Sequence, residues 1–364
     1  MKLTLKIKLL PSNEQNKLLL QTLKEANTAC NSISKVAFNQ RFFNQYKLHK
    51  EVYHTHKNSF NLSAQMVVRC ISKVSDSYKL DRKKIRTFRE YGSIAYDSRI
   101  LTYRPNNEVS IWTVGGRQKM NYVCHNKKYI PYIKGESDLI YNKGKFYLFQ
   151  TVDVPCAEIK DVEEFIGYDF GITDILVSSD GVKMSADWIN QYREKRQKIR
   201  SSIQSKGTRG CKKLLKRLNG RERTTSNIIN HTIAKQVVQD AISQNKGIAI
   251  EDLKNIRKTS KRRNKKFRTK LGKWSFHNLR SKIEYKAQLK GIPVIVVTPN
   301  YTSQTCNGCK YIGKRTNKVF KCTNQHCDID TLDADFNAAK NISTLGVAIN
   351  HPEKSIMYSC SVHS

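Results

Sequence analysis

The chain has 364 residues, long enough for two or three domains with a sizeable core, and carries 66 Lys and Arg against 30 Asp and Glu for a formal net charge of +36. A compact state with that much like charge repels itself unless a polyanion offsets it, so nucleic acid is the expected partner. No run approaches 18 consecutive apolar residues, which excludes a membrane span, and the alternation of Lys with apolar residues from Met1 to Leu9 reads as a strand and not as the apolar core of a secretory segment.

After that strand, Ser12-Asn13-Glu14-Gln15 has the form of a capping box. Leu18, Leu19, Leu20, Leu23, Ala26 and Ala29 then recur at helical spacing. A second amphipathic stretch runs from about Ser63 through Met66, Val67, Cys70, Ile71, Val74 and Tyr78, so residues 11–80 are expected to form a helical unit. From about Ile94 to Pro155 short runs rich in Tyr, Ile, Val and Thr are separated by turn signals, the pattern of an antiparallel meander or barrel. The first strand is expected to join that sheet, which makes the helical unit an insertion into a β domain.

From Val162 onward strand and helix alternate. Strands are expected at 164–172, 175–177, 247–251 and 294–298, and helices at 186–204, 211–244, 275–289 and from about Asp335 to Thr344, an order that argues for a three-layer α/β fold. The tail, 347–364, shows no periodicity and is expected to be loose.

Two groups of side chains carry chemistry. Cys306 and Cys309 form a Cys-x2-Cys pair that faces Cys322 and Cys327 across a short ribbon; four thiolates suit one structural, tetrahedral zinc. The second pair is spaced Cys-x4-Cys, so His326 is an alternative fourth ligand. The remaining cysteines are scattered, as reduced thiols in a reducing compartment would be, and predict a cytoplasmic protein. Among the acids, Asp169 and Glu251 each close an apolar strand and Asp335 opens the last helix. Carboxylates in such places need a cation or a basic partner. Together the three suit two Mg²⁺ ions roughly 3.5–4 Å apart for phosphodiester cleavage. Asp333 is the alternative ligand, in which case Asp335 is a plain helix cap.

At these residues the chain resembles the TnpB family, the transposon-encoded OrfB proteins related to type V CRISPR effector nucleases. The resemblance rests on Ile166-Gly167-Tyr168-Asp169-Phe170-Gly171-Ile172, Ile250-Glu251-Asp252-Leu253, Trp274-Ser275-Phe276 through Ile283-Glu284-Tyr285-Lys286-Ala287, Tyr301-Thr302-Ser303-Gln304-Thr305-Cys306 and Asp335-Phe336-Asn337-Ala338-Ala339-Lys340-Asn341-Ile342. It implies a multidomain α+β protein: a β-barrel wedge domain (1–10 and 81–160) with a helical recognition insertion (11–80), then a split RuvC/RNase H-like α/β domain (161–300 and 330–346). A zinc ribbon that binds target nucleic acid (301–329) and a tail (347–364) complete it. The resemblance further implies a prokaryotic, nucleoid-associated RNA-guided DNA endonuclease with Asp169, Glu251 and Asp335 as its metal-binding triad. Such a protein would work as a monomer with a guide RNA from the transposon end and cut double-stranded DNA beside a short flanking motif. The alternatives are a catalytically weak RNA- and DNA-binding regulator of transposition, or a compact type V effector.

Two basic series are candidate nucleic-acid contacts. One, including Lys261, Arg262, Arg263, Lys265, Lys266 and Arg268, lies in a stretch from Lys258 to Lys273 in which nine of 16 residues are basic. The other, including Lys212, Lys213, Lys216 and Arg217, lies on an expected helix and is suited to track a guide–target duplex through its backbone.

Overall fold

The computed structural model describes residues 1–253 and 276–352. It divides into two compact units, one ending at Pro155 and the other beginning at Cys156. The first unit starts with β1 (Lys2–Leu10), whose alternation buries Leu5, Ile7 and Leu9 on one face. Helix α1 (Asn13–Asn39) begins with the reciprocal capping box: Gln15 N–H donates to Ser12 Oγ at 3.2 Å and Ser12 N–H donates to Gln15 Oε1 at 3.0 Å. It packs with α2 (Gln45–Ser59) and α3 (Ala64–Leu80). Helix α2 was not legible as a helix, because its buried stripe is only Leu48, Val52 and His56 on an otherwise polar segment.

The other strands of this unit are β2 (Ile94–Tyr96), β3 (Leu101–Arg104), β4 (Glu108–Thr113), β5 (Gly116–Cys124), β6 (Ile133–Asn142) and β7 (Lys145–Asp153). With β1 they form one antiparallel sheet in the order β2-β6-β7-β1-β5-β4-β3, so the N-terminal strand sits in its middle. Tyr96 Oη on the edge strand β2 donates to the carbonyl of Trp112 on β4 at 3.1 Å, bringing the two ends of the sheet together as a nearly closed barrel.

The second unit is built on β8 (Phe165–Asp169), β9 (Asp174–Ser178), β10 (Lys183–Ser185), β11 (Gly247–Glu251) and β12 (Val294–Val297), in the order β10-β9-β8-β11-β12. Strands β8, β11 and β12 are parallel; β9 runs antiparallel beside β8, and β10 antiparallel beside β9. Between β10 and β11 lie α4 (Asp187–Ser205) and α5 (Arg209–Ser243); α6 (Phe276–Leu289) precedes β12. One face of the sheet, with Ile166, Tyr168, Ile248 and Ile250, packs on Ile233, Ala234 and Val237 of α5 and on Leu279 and Ile283 of α6. The opposite face, with Phe165, Ala249 and Val297, packs on Ile342 of α7 (Ala334–Asn350). This is a three-layer α/β arrangement.

Helix α7 differs from its expected extent. It continues to Asn350, into the segment expected to be loose, because Gly346 lets it lie directly against Ala249 and Phe165. Residues 353–364 of that tail lie outside the described residues. Before α7 comes a three-stranded ribbon of β13 (Lys314–Thr316), β14 (Val319–Lys321) and β15 (Thr331–Asp333).

Candidate metal centres

Strand parity positions the acids. Successive side chains of a strand point to opposite faces, so Phe165, Gly167 and Asp169 share one face of β8, and Ala249 and Glu251 share the same face of the adjacent parallel β11. That is the α7 face, and both carboxylates stand at the carboxyl ends of their strands. Glu251 is 9% exposed, as is Asp335 in the first turn of α7. Asp169 is half-buried.

Asp333 and Asp335 have different roles. Asp333 is the N-cap of α7, its Oδ1 accepting from the backbone N–H groups of Asp335 at 3.0 Å and Phe336 at 2.9 Å, while its Oδ2 pairs with Lys183 at 2.6 Å. Asp335 is freed from capping and lies with Asp169 and Glu251. Burial first, then the charges of Glu251 and Asp335, push the Asp169 carboxyl well above the usual carboxylate range. Burial also raises Glu251, opposed by a hydrogen bond from Thr302 and by the nearby Arg315 guanidinium. Donors that are all carboxylate oxygens fit hard divalent cations.

Further residues complete this site: Thr302, Asn337 and Asn341 lie within the stretches that carry the resemblance, whereas Arg315 and Lys318 lie outside them. Thr302 Oγ1 donates to Glu251 Oε1. Arg315 Nη2 donates to Asp335 Oδ1 at 2.8 Å; Lys318 lies 3.7 Å from Asp335 Oδ2 and also pairs with Asp174. Asn337 and Asn341, one turn apart on α7, donate to the carbonyls of Thr305 (2.7 Å each), and Asn341 also to that of Thr302 (2.9 Å). Spacing i, i+4 on a helix that had already been recognised is the one clue that these asparagines share its buried face.

The four cysteines form the second centre. Their Sγ atoms all lie within 4.8 Å of one another, with Cys306–Cys327 at 3.8 Å and Cys309–Cys322 at 3.5 Å. His326 is not in the group; its backbone N–H donates to Asn324 Oδ1. Cys306, Cys322, Phe320 and Ala334 form a small core of their own. Burial opposes ionisation of Cys309, but hydrogen bonds from the Tyr311 backbone, Asn324 and the neighbouring thiols bring it down to about 7. Burial and the neighbouring thiols of Cys309, Cys306 and Cys327, opposed by the Asn324 backbone, push Cys322 up to about 12. One sulfur thus ionises at the expense of the others, a conflict that a soft tetrahedral metal such as zinc removes by accepting all four as thiolates.

Of the expected nucleic-acid contacts, Lys212, Lys213, Lys216 and Arg217 are exposed on α5. Lys261, Arg262, Arg263, Lys265, Lys266 and Arg268 lie outside the described residues.

The second unit is therefore a three-layer α/β domain with an acidic cluster at its strand ends and a four-cysteine ribbon leading into its last helix. Residues 276–342 match the family model described as Cas12f1-like, TNB domain. The TnpB-like protein MJ0751 of Methanocaldococcus jannaschii is 34% identical over 171 residues, covering 46% of this chain and 60% of that protein. The CRISPR-associated endodeoxyribonuclease Cas12f1 of Syntrophomonas palmitatica is 30% identical over 251 residues, covering 56% of this chain and 49% of that protein. The matches thus span about half to three fifths of these relatives. The solved structure of a Cas12f1-sgRNA-target DNA complex superposes with a TM-score of 0.61 at 16% identity, over 91% of this chain and 83% of that one, and shows the same fold. The chain is thus similar in sequence to TnpB-like proteins and to Cas12f endodeoxyribonucleases.

Proposed function

We propose that this protein is an RNA-guided DNA endonuclease that hydrolyses target DNA beside a short flanking motif. The observation that carries the reading is the convergence of Asp169, Glu251 and Asp335, from three distant stretches of chain, on one end of the sheet. Strand order β10-β9-β8-β11-β12 with α7 across the acid-bearing face supports reading residues 161–300 and 330–346 as a split RuvC/RNase H-like domain. In the same reading residues 1–10 and 81–160 are the wedge, 11–80 the recognition insertion and 301–329 the target-binding ribbon, with one zinc on Cys306, Cys309, Cys322 and Cys327.

Asp169, Glu251 and Asp335 would hold two Mg²⁺ ions. Bound there, the ions supply an activated water and a counter-charge for the leaving oxygen. The chain's own groups set the rest. The Thr302 hydroxyl orients the Glu251 carboxylate, and the Asp333 cap leaves Asp335 turned toward the site. Arg315 and Lys318 place positive charge where a phosphate gains negative charge. The exposed basic face of α5 and the segment containing Lys261 to Arg268 supply phosphate contacts, and the protein acts in the cytoplasm as a monomer on its guide RNA.

The test is cleavage of matched DNA by protein purified with its RNA, in Mg²⁺ and in chelator, for wild type and Asp169→Ala. Loss of cutting in both chelator and variant is expected; equal cutting by the variant refutes the mechanism. Sequencing the RNA that co-purifies separates a transposon-end guide from a repeat-array guide.

A further inference from the structure

The first unit contains a basic and aromatic pocket that the nuclease reading does not use. It opens where α1 ends and α2 begins, against the last turn of α3, with a volume of about 590 Å³. Four cations from three segments line it: Arg41 in the connection, Lys47 in the first turn of α2, Lys79 in the last turn of α3 and Arg82 just beyond. Phe42 and Phe43, both half-buried, supply its apolar wall.

The cations are held ready. The Arg82 guanidinium lies 5.5 Å over the Phe43 ring, which is itself 4.7 Å from Tyr78, a packed column ending in a charge. The Arg41 guanidinium lies 4.6 Å over Phe38 and donates to the Arg82 carbonyl at 3.3 Å. Among the described residues no acidic side chain lines the pocket; Asp76 pairs with Lys79 at its rim. Asn44 caps α2, so its Oδ1 already takes the N–H groups of Tyr46 and Lys47 and the helix end is not the anion site. Four converging cations with aromatic rings between them match a phosphodiester with an adjacent unpaired base.

We propose that this pocket binds single-stranded nucleic acid, gripping backbone phosphate through Arg41, Lys47, Lys79 and Arg82 and stacking one base on Phe42. A concave site of nucleotide size admits one splayed base, whereas a duplex presents only its outer backbone. The proposal rests on the reading of the chain as a nucleic-acid-acting protein but not on its cleavage chemistry.

The test uses the full chain, freed of RNA, with labelled single-stranded RNA, single-stranded DNA and duplex probes in fluorescence anisotropy, and with a photoreactive uridine probe mapped by mass spectrometry. Cross-linking to Phe42 is expected. Phe42→Ala is expected to weaken single-strand affinity about 5- to 150-fold. The pair Arg41→Gln and Arg82→Gln is expected to weaken it and lower the salt slope by about 1.4. The RNA and DNA arms identify which strand the pocket takes. Wild-type affinity and slope in both variants, no cross-link at Phe42, or binding of duplex alone overturn the proposal. Cleavage by each variant of pre-loaded complexes, compared with Asp169→Ala, reports the nuclease reading separately.

Discussion

Gly167→Ala tests whether strand β8 and helix α7 are held at backbone contact, the approach on which the acidic cluster depends. A Cβ at position 167 would lie 2.0 Å from the Ala339 carbonyl oxygen and 2.4 Å from the Ser343 nitrogen, where real Cβ atoms stay beyond 3.0 Å. Both obstacles are backbone, so no side-chain rotation relieves them and α7 must retreat by roughly 1 Å. Overpacking of this kind costs about 1–3 kcal/mol. The Ser343 Oγ hydrogen bond to the Phe165 carbonyl, 2.6 Å long, would stretch and give up about 1 kcal/mol more. A total near 3 kcal/mol lowers the melting temperature of a unit this size by roughly 6–12 °C. Because the retreating helix carries Asp335 away from Asp169, cleavage is expected to fall about 100-fold. Gly220→Ala is the control: it lies within α5 with nothing within 4 Å of its Cβ, and should match wild type or gain up to about 1 kcal/mol. Thermal melts read by circular dichroism and single-turnover cleavage decide it. A Gly167→Ala protein within about 0.5 kcal/mol of wild type and fully active refutes the argument.

Asp333→Ala is expected to lose about 1 kcal/mol by urea titration and Asp333→Asn almost nothing, since Asn caps as well as Asp, with cleavage kept in both; Asp335→Asn should lose cleavage. Abolished cutting in Asp333→Asn would exchange the two roles. Cys306→Ser is expected to reduce bound zinc, measured by mass spectrometry of the metal, from one per chain to well below that, and to melt the small core around Phe320; unchanged stoichiometry contradicts a four-sulfur site. In Mg²⁺-free buffer, stability should fall as pH rises above the ordinary carboxylate range. The folded-state pKa of Asp169 is raised above its unfolded value, so its contribution is whole below the unfolded pKa and is lost as pH climbs through the folded one. Asp169→Asn should flatten that dependence in urea titrations across pH; an identical slope argues against the clustered charges.

The strands of the second unit were legible because β8 and β11 are buried on both faces and read as short apolar runs closed by an acid. Parity then carries Asp169 and Glu251 to a common face without any contact having to be known. Asp333 and Asp335 stand two residues apart at a helix start, where either can cap, and only the backbone path through β15 decides between them. Helix α2 failed the periodicity test for a physical reason: a helix that buries three side chains against α1 and α3 needs no wide apolar stripe. Arg315 and Lys318 are two cations among many in a very basic chain. Their selection comes from the register of a hairpin of three-residue strands, which composition does not encode.

That hairpin joins the two metal centres into one mechanical system. The cysteine cluster fixes one end of β13 and β14, and Asn337 and Asn341 tie the 302–305 segment to α7. Between these anchors the ribbon delivers Thr302 to Glu251, Arg315 to Asp335 and Lys318 to both Asp174 and Asp335. Burial first, then the charges of Glu251 and Asp335, raise the Asp169 carboxyl, and the Arg315 guanidinium that the ribbon supplies opposes that rise. A ribbon that lost its four-cysteine core would release Arg315 and Lys318 from the acids and remove the charge that opposes the rise at Asp169. The four-cysteine cluster and the acidic cluster are thus coupled through charge as well as through packing.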